Sequence, residues 1–453
     1  MSRPGATRAR TASDRVPAAL MALALALPPA FAAHAAESSC EDDAHPLLNG
    51  LCASASLTLD TFGTVHGGVR KDVAAIGQVA LGLDADLGAL AGLDGWTVHA
   101  SAFGIYGRQP AATLTGSLAP PSNIEALSTF RLNELWVQRD LGPWGSIRLG
   151  QLAADSEFAA ADAAGNLVNG TFGWSVGLAG ALPSGGPAYP FAAPGVRLAL
   201  GDPDAATGLR IGVFAGDPGG RYGDETDPQR HNRYGTNFST SGGTFIIGEA
   251  VTGGTLPEGV EDGPRPWVAK LGFWYHTGGF DAQRWDDGGS SLADPASSGT
   301  PRRYGHNLGG YAVGEATVWR GAASSVALFG RVFAAPDDRN LISTQLDGGV
   351  AWRGPFGRAD DTLSFGASWA RVGDGARDLD RDLQAQGEDR VRRDSEAVLE
   401  LNYDYAVVPG HLSLRPIVQW IIHPGAREPD DRVSDTRPLK DAVLLGLRAT
   451  ATF

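Results

Sequence analysis

The chain has 453 residues, a formal charge of −14 at pH 7, 62 glycines and only 2 methionines. An acidic balance of this size excludes a protein that grips nucleic acid through a basic face. Abundant glycine without strongly helical windows suits a β protein rich in turns, and no segment outside the N-terminus approaches a spanning helix.

The first element is an export signal over residues 1–36. Arg3, Arg8, Arg10 and Arg15 form a basic start, and residues 16–27 form a short apolar run. Ala30-Phe31-Ala32 and Ala33-His34-Ala35 offer small-x-small cleavage sites. The run is too short for a retained membrane helix, which needs about 20 apolar residues. Removing four arginines and Asp14 with the signal moves the charge from −14 to −17. Residues 37–54 then form an N-terminal periplasmic segment holding the two cysteines, Cys40 and Cys52. In an oxidising compartment the pair is expected to close a disulfide. A metal site is the alternative, but two thiols with only His45 between them make a poor ligand set. No metal or cofactor is expected.

Residues 55–453 read as an all-β, transmembrane antiparallel β-barrel of about 16 strands. The expected spans are 55–65, 76–87, 96–106, 128–139, 146–152, 195–201, 209–216, 243–251, 265–277, 308–320, 325–334, 344–353, 362–372, 395–405, 411–422 and 441–453. Tight connections rich in Gly, Pro or Asp (141–145, 202–208, 321–324, 354–361, 406–410) alternate with longer ones (107–127, 153–194, 217–242, 278–307, 373–394, 423–440). Short periplasmic turns alternating with long outer loops are barrel topology, and an even strand count leaves both termini on the periplasmic side. The 252–264 turn is long for its class and the 335–343 loop is short.

Alternation assigns the faces. In the terminal strand Val443, Leu445, Leu447, Ala449, Ala451 and Phe453 oppose Arg448, Thr450 and Thr452. Leu399, Leu401, Tyr403 and Tyr405 oppose Glu400, Asn402 and Asp404, and Leu414, Val418 and Trp420 oppose Arg415 and Gln419. Trp267, Leu271, Phe273 and Tyr275 oppose Lys270, and Leu209, Ile211 and Val213 oppose Arg210. A lipid-facing charge would cost about 2–4 kcal/mol at mid-bilayer, so the charges point into a wet lumen. Strands 128–139 and 308–320 alternate less cleanly.

Several segments together resemble the OprB-type carbohydrate-selective porin family. They include Arg148-Leu149-Gly150-Gln151-Leu152, Asn169-Gly170-Thr171-Phe172-Gly173-Trp174, Pro183-Ser184-Gly185-Gly186-Pro187-Ala188-Tyr189-Pro190, Phe214-Ala215-Gly216-Asp217-Pro218 and Trp274-Tyr275-His276-Thr277-Gly278. The likeness runs through most of the mature chain in the family's order. It implies an outer-membrane channel of a Gram-negative bacterium for passive sugar diffusion, with a sixteen-stranded barrel narrowed by loops. One departure is the opening after the signal, where the Cys40–Cys52 pair stands in place of the Trp-Gly-Gly-rich segment of many relatives.

The pore-lining candidates are Arg148, Arg197, Arg210, Lys270, Arg331, Arg353, Glu400, Arg415 and Arg448. Small neutral saccharides are the expected solutes, with outer-membrane lipid and lipopolysaccharide around the wall, no nucleic acid, and no patch that decides between monomer and oligomer. The alternative for any single arginine is a structural pairing with Asp or Glu across the barrel. The 153–194 segment is the candidate constriction. It carries Phe158, Phe172, Trp174, Tyr189 and Phe191, and it is expected to fold inward and offer Trp174 or Tyr189 to a sugar face. An outer flap is the alternative. Gly173-Trp174-Ser175-Val176-Gly177 spells G-x-S-x-G, the nucleophile elbow, but it sits inside a Gly/Pro-rich loop with no helix pattern after it. The chain is read as no enzyme. A barrel-embedded hydrolase and a structural or adhesive barrel without solute passage remain the rival readings.

Overall fold

The computed structural model describes residues 45–201, 207–220, 226–257 and 263–453. The expected signal, Cys40 and the rest of residues 1–44 lie outside the described residues. Among the described residues no helix is long and apolar enough to cross a membrane. The chain crosses with strands instead.

All sixteen expected segments are strands. They are β1 (Leu51–His66), β2 (Val73–Asp86), β3 (Trp96–Gly107), β4 (Thr129–Asp140), β5 (Gly145–Leu152), β6 (Ala193–Leu200), β7 (Gly208–Ala215) and β8 (Thr244–Leu256). The second half comprises β9 (Arg265–His276), β10 (Asn307–Arg320), β11 (Ser325–Ala334), β12 (Ile342–Arg353), β13 (Thr362–Val372), β14 (Ser395–Val408), β15 (Leu412–Ile422) and β16 (Ala442–Thr452). Each pairs antiparallel with its sequence neighbours, and β16 returns to β1 with Leu59 opposite Ala449 and Asp60 opposite Arg448. The sheet is a closed sixteen-stranded barrel, so every strand edge is satisfied without water.

The barrel begins four residues earlier than the expected position 55. Cys52, Ala53, Ser54 and Ala55 are too alike in size and polarity to display alternation, yet they pair with β2. His45–Leu48 folds back onto this extension, with His45 opposite Ala53. Cys52 is disulfide-bonded and 4% exposed.

The outward face follows the alternation. Leu271, Phe273, Leu401, Val418, Leu445 and Leu447 are exposed, while Trp274, Glu400, Gln419 and Leu444 beside them are buried. Exposed aromatics gather towards both ends. Trp96, Trp319, Phe356, Tyr405 and Phe453 lie at the end with the short turns, and Phe130, Tyr275, Trp369 and Trp420 at the end with the long loops. These are the interfacial girdles of a membrane barrel. The two strands that alternate poorly each contain a register shift. One lies where β4 passes from Leu132 to Leu135 against β3, the other at Thr317–Trp319 of β10. A bulge adds one residue and inverts the alternation, which is why period two fails there.

The buried core lies inside the cylinder. Wall residues Phe214, Phe245, Ile247, Trp274, Phe329 and Phe333 form one cluster with Phe158, Leu167, Phe172, Leu178 and Leu182 of the segment between β5 and β6. This sector of the lumen is apolar and filled, where alternation alone had implied a wet interior throughout. The helix Asp374–Ala385 and the paired strands Phe280–Asp286 and Pro301–Tyr304 belong to the long connections, joined by Arg284 binding Asp378 and Asp382.

Candidate solute path through the barrel

The segment between Leu152 and Ala193 turns into the lumen. It is built from single turns, Ala163–Asn166, Gly170–Phe172, Val176–Gly180 and Pro183–Gly185. Short side chains close them locally: Asn169 accepts from the Thr171 amide, and Ser175 accepts from the Leu178 amide at 3.2 Å. Ser175, the middle of the G-x-S-x-G string, is thus a helix cap.

A segment without sheet partners leaves bare amides and carbonyls, and the barrel wall binds them. Glu400 accepts from the Val168 and Asn169 amides, both at 2.7 Å. Glu249 takes the Ala159 amide, Glu315 that of Ala163 and Glu134 that of Ala153. Cations take the carbonyls. Lys270 donates to Ala160, Arg210 to Glu157, Arg415 to Asn166, and Arg331 to Thr171 and Gly173. A second inward segment was not foreseen. Residues 108–128 pack beside the first, with Glu396 accepting from Leu118 and Ala119 and Gly170 donating to Pro120. Within these segments burial pushes the Asp155 carboxyl up to about 7 and the Glu125 carboxyl up to about 8, although backbone N–H donors at both oppose the rise.

An open cavity of about 600 Å³ lies between the inserted segment and the wall from β5 to β10. Glu157 and Asp162 of the segment line one side, with Glu315 on β10, and Arg197, Arg210 and Lys270 project from β6, β7 and β9. Glu157 binds both Arg148 and Arg197 at 2.9 Å. Arg148 also lies 3.8 Å over Trp136, which stacks on His99. Arg210 stands 3.6 Å from Glu249.

The remaining candidates are placed apart from this cavity. Arg331 is paired with Asp347, Arg415 with Asp404, and Arg448 with Asp60 at 2.7 Å. Arg353 is exposed at the turn end of β12 and has no ion pair among the described residues. Glu400 is 1% exposed, because two loop amides cover it, and it offers no surface to a solute. Phe172 and Phe191 of the candidate constriction loop are both 1% exposed and pack inward. Their segment needs an apolar core to hold its shape. Trp174 is half-buried with its indole N–H on the Gly185 carbonyl, and Tyr189 donates its hydroxyl to the Ile124 carbonyl.

Sequence reading missed the acids Glu157, Glu249, Glu315, Asp347 and Asp60. Asp60 could have been found, since it stands directly across from Arg448 once β1 and β16 are recognised as neighbours. Arg131 was missed because the bulge in β4 hides its parity. It faces inward, with Phe191 at 4.7 Å from its Cζ.

Residues 70–453 match the family model described as "Carbohydrate-selective porin, OprB family". Among solved structures, a high-pH structure of Pseudomonas putida OprB superposes with a TM-score of 0.77 and 20% identity, covering 89% of this chain and 94% of that one. A low-pH structure of the same protein gives 0.50 and 14% identity, over 89% and 93%. At these identities the likeness is one of fold. No curated protein matches the chain.

Proposed function

The chain belongs to the OprB family of carbohydrate-selective porins, and from that membership we propose how a sugar crosses it. The protein is an outer-membrane channel of a Gram-negative bacterium for the passive diffusion of sugars. The solute passes between the inserted segment and the wall, along the cavity bounded by Glu157 and Asp162 on one side and Arg197, Arg210 and Lys270 on the other. Acceptors and donors lining one open cavity suit a neutral polyol, whose hydroxyls can serve both. Because each cation already holds a carboxylate or a carbonyl, a sugar exchanges one weak contact for another and is not retained.

The opposed charges of that cavity carry this reading. An exported barrel with a cleaved signal, ringed by lipid and lipopolysaccharide at its aromatic girdles, completes it. A hydrolase is disfavoured by Ser175, whose hydroxyl is engaged as a cap. The purified protein in a planar bilayer should show stepwise conductance that falls as mono- or disaccharide is added. Lys270→Ala should change the blocking concentration several-fold while the barrel keeps its heat-resistant gel mobility. Conductance indifferent to every saccharide would leave only a structural barrel.

A further inference from the structure

The cavity between the inserted segment and the wall is lined by three acids, Glu157, Asp162 and Glu315, and by three cations, Arg197, Arg210 and Lys270. Its lining is neutral in sum, in a chain whose formal charge is −14. Glu157 holds the most exacting place in that balance, because it faces two guanidiniums at once. Arg148 Nη1 lies 2.9 Å from its Oε1 and Arg197 Nε lies 2.9 Å from its Oε2. Neither arginine has another ion pair among the described residues. Their side-chain hydrogen bonds go to neutral groups. Gln138 accepts from Arg148 at 3.0 Å and from Arg197 at 2.8 Å, and Ser146 accepts from Arg197 at 2.6 Å.

Unlike Glu400, Glu157 presents a surface to the solute: its side chain is 20% exposed and borders the open cavity. An ionised carboxylate has about four lone-pair sites, so two contacts to arginine leave room for hydroxyl donors. A sugar hydroxyl can fill those sites. The carboxylate of a sugar acid has no proton to donate there, and it would have to displace Glu157 from both guanidiniums. Glu157 is tethered beside them by the folded segment, whose carbonyl at the same residue accepts from Arg210 at 3.1 Å. A free anion therefore competes against a high effective concentration of built-in carboxylate. We propose that Glu157 sets the preference of the channel for neutral over anionic sugars, by occupying the two arginines that would otherwise capture a sugar carboxylate. Without its charge the cavity lining gains one net positive charge, and Arg148 and Arg197 become a planar pair of donors suited to a carboxylate. The inference rests on the reading that saccharides cross by this cavity.

The test compares glucuronate with glucose, two solutes of similar size, in liposomes carrying the wild type, Glu157→Gln or Glu157→Asp. The wild type should admit glucose faster than glucuronate. Glu157→Gln keeps the side-chain shape and removes the charge. It should raise the glucuronate-to-glucose ratio about five-fold or more and move the reversal potential in a KCl gradient towards that of chloride, since charged linings set ion selectivity. Glu157→Asp keeps the charge and should hold the ratio within about two-fold of the wild type. An unchanged ratio in Glu157→Gln overturns the proposal, and so does a rise that comes from slower glucose alone. Should Glu157→Gln not fold, the wild type still decides: glucuronate must block single-channel current only at a higher concentration than glucose, and an equal or lower concentration sinks the proposal. Failure of glucose itself to enter wild-type liposomes would instead overturn the sugar channel.

Discussion

Glu400 shows how a side chain that points into a lumen can still be hidden from every solute. It sits on the inward face of β14, but it holds two backbone amides of the inserted segment and accepts as well from Asn402 and Gln419. Replacing it by alanine would leave the Val168 and Asn169 amides without acceptors, at roughly 1–3 kcal/mol each where water cannot reach them. Glu400→Ala is therefore expected to loosen the segment rather than the barrel. Single-channel records should become noisier and the open conductance should rise, with heat-resistant mobility retained. The same logic reassigns most of the expected pore lining. Arg331, Arg415 and Lys270 are braces that hold carbonyls of the segment, and only Lys270 of these also borders the open cavity.

A strand in this protein has one face set by lipid and one set by what fills the cylinder. On the outward face of β16, Leu445 and Leu447 are about half exposed, and exposed Phe453 follows the strand. An arginine in place of Leu445 would meet hydrocarbon and cost about 2–4 kcal/mol at the bilayer centre. Leu445→Arg should reduce the folded, heat-resistant fraction in lipid vesicles, while the inward Leu444 tolerates no bulk because it is fully buried. Where the alternation breaks, the backbone explains it. The bulges in β4 and β10 move Arg131, Glu134 and Trp319 to faces that period two assigns wrongly.

The closed ring and its filling are separable in the whole molecule. Sixteen strands satisfy one another's backbones through to the β1–β16 seam, whereas the inserted segment depends on side chains of that ring. Replacing residues 160–185 by a short Gly-Ser linker should leave a closed barrel that migrates as a heat-resistant band. Its conductance should rise at least two-fold and block by saccharide should disappear. Its stability should fall, since Phe329, Phe333 and Trp274 would lose the apolar partners that now cover them. Conductance equal to the wild type would mean that the segment does not narrow the pore.

Strand number, strand order along the chain and the lipid-facing side were readable in the residues, because hydrocarbon imposes a rule every second position must obey. The sorting of short and long connections was readable for the same reason, since β1 to β16 must alternate direction. The filling of the lumen was not. Glu400 touches Val168 across more than two hundred positions, and Asp60 meets Arg448 across nearly the whole chain. A carboxylate facing inward looks the same in the sequence whether water, a sugar or a folded loop stands before it, and only the path of the loop through three dimensions decides which.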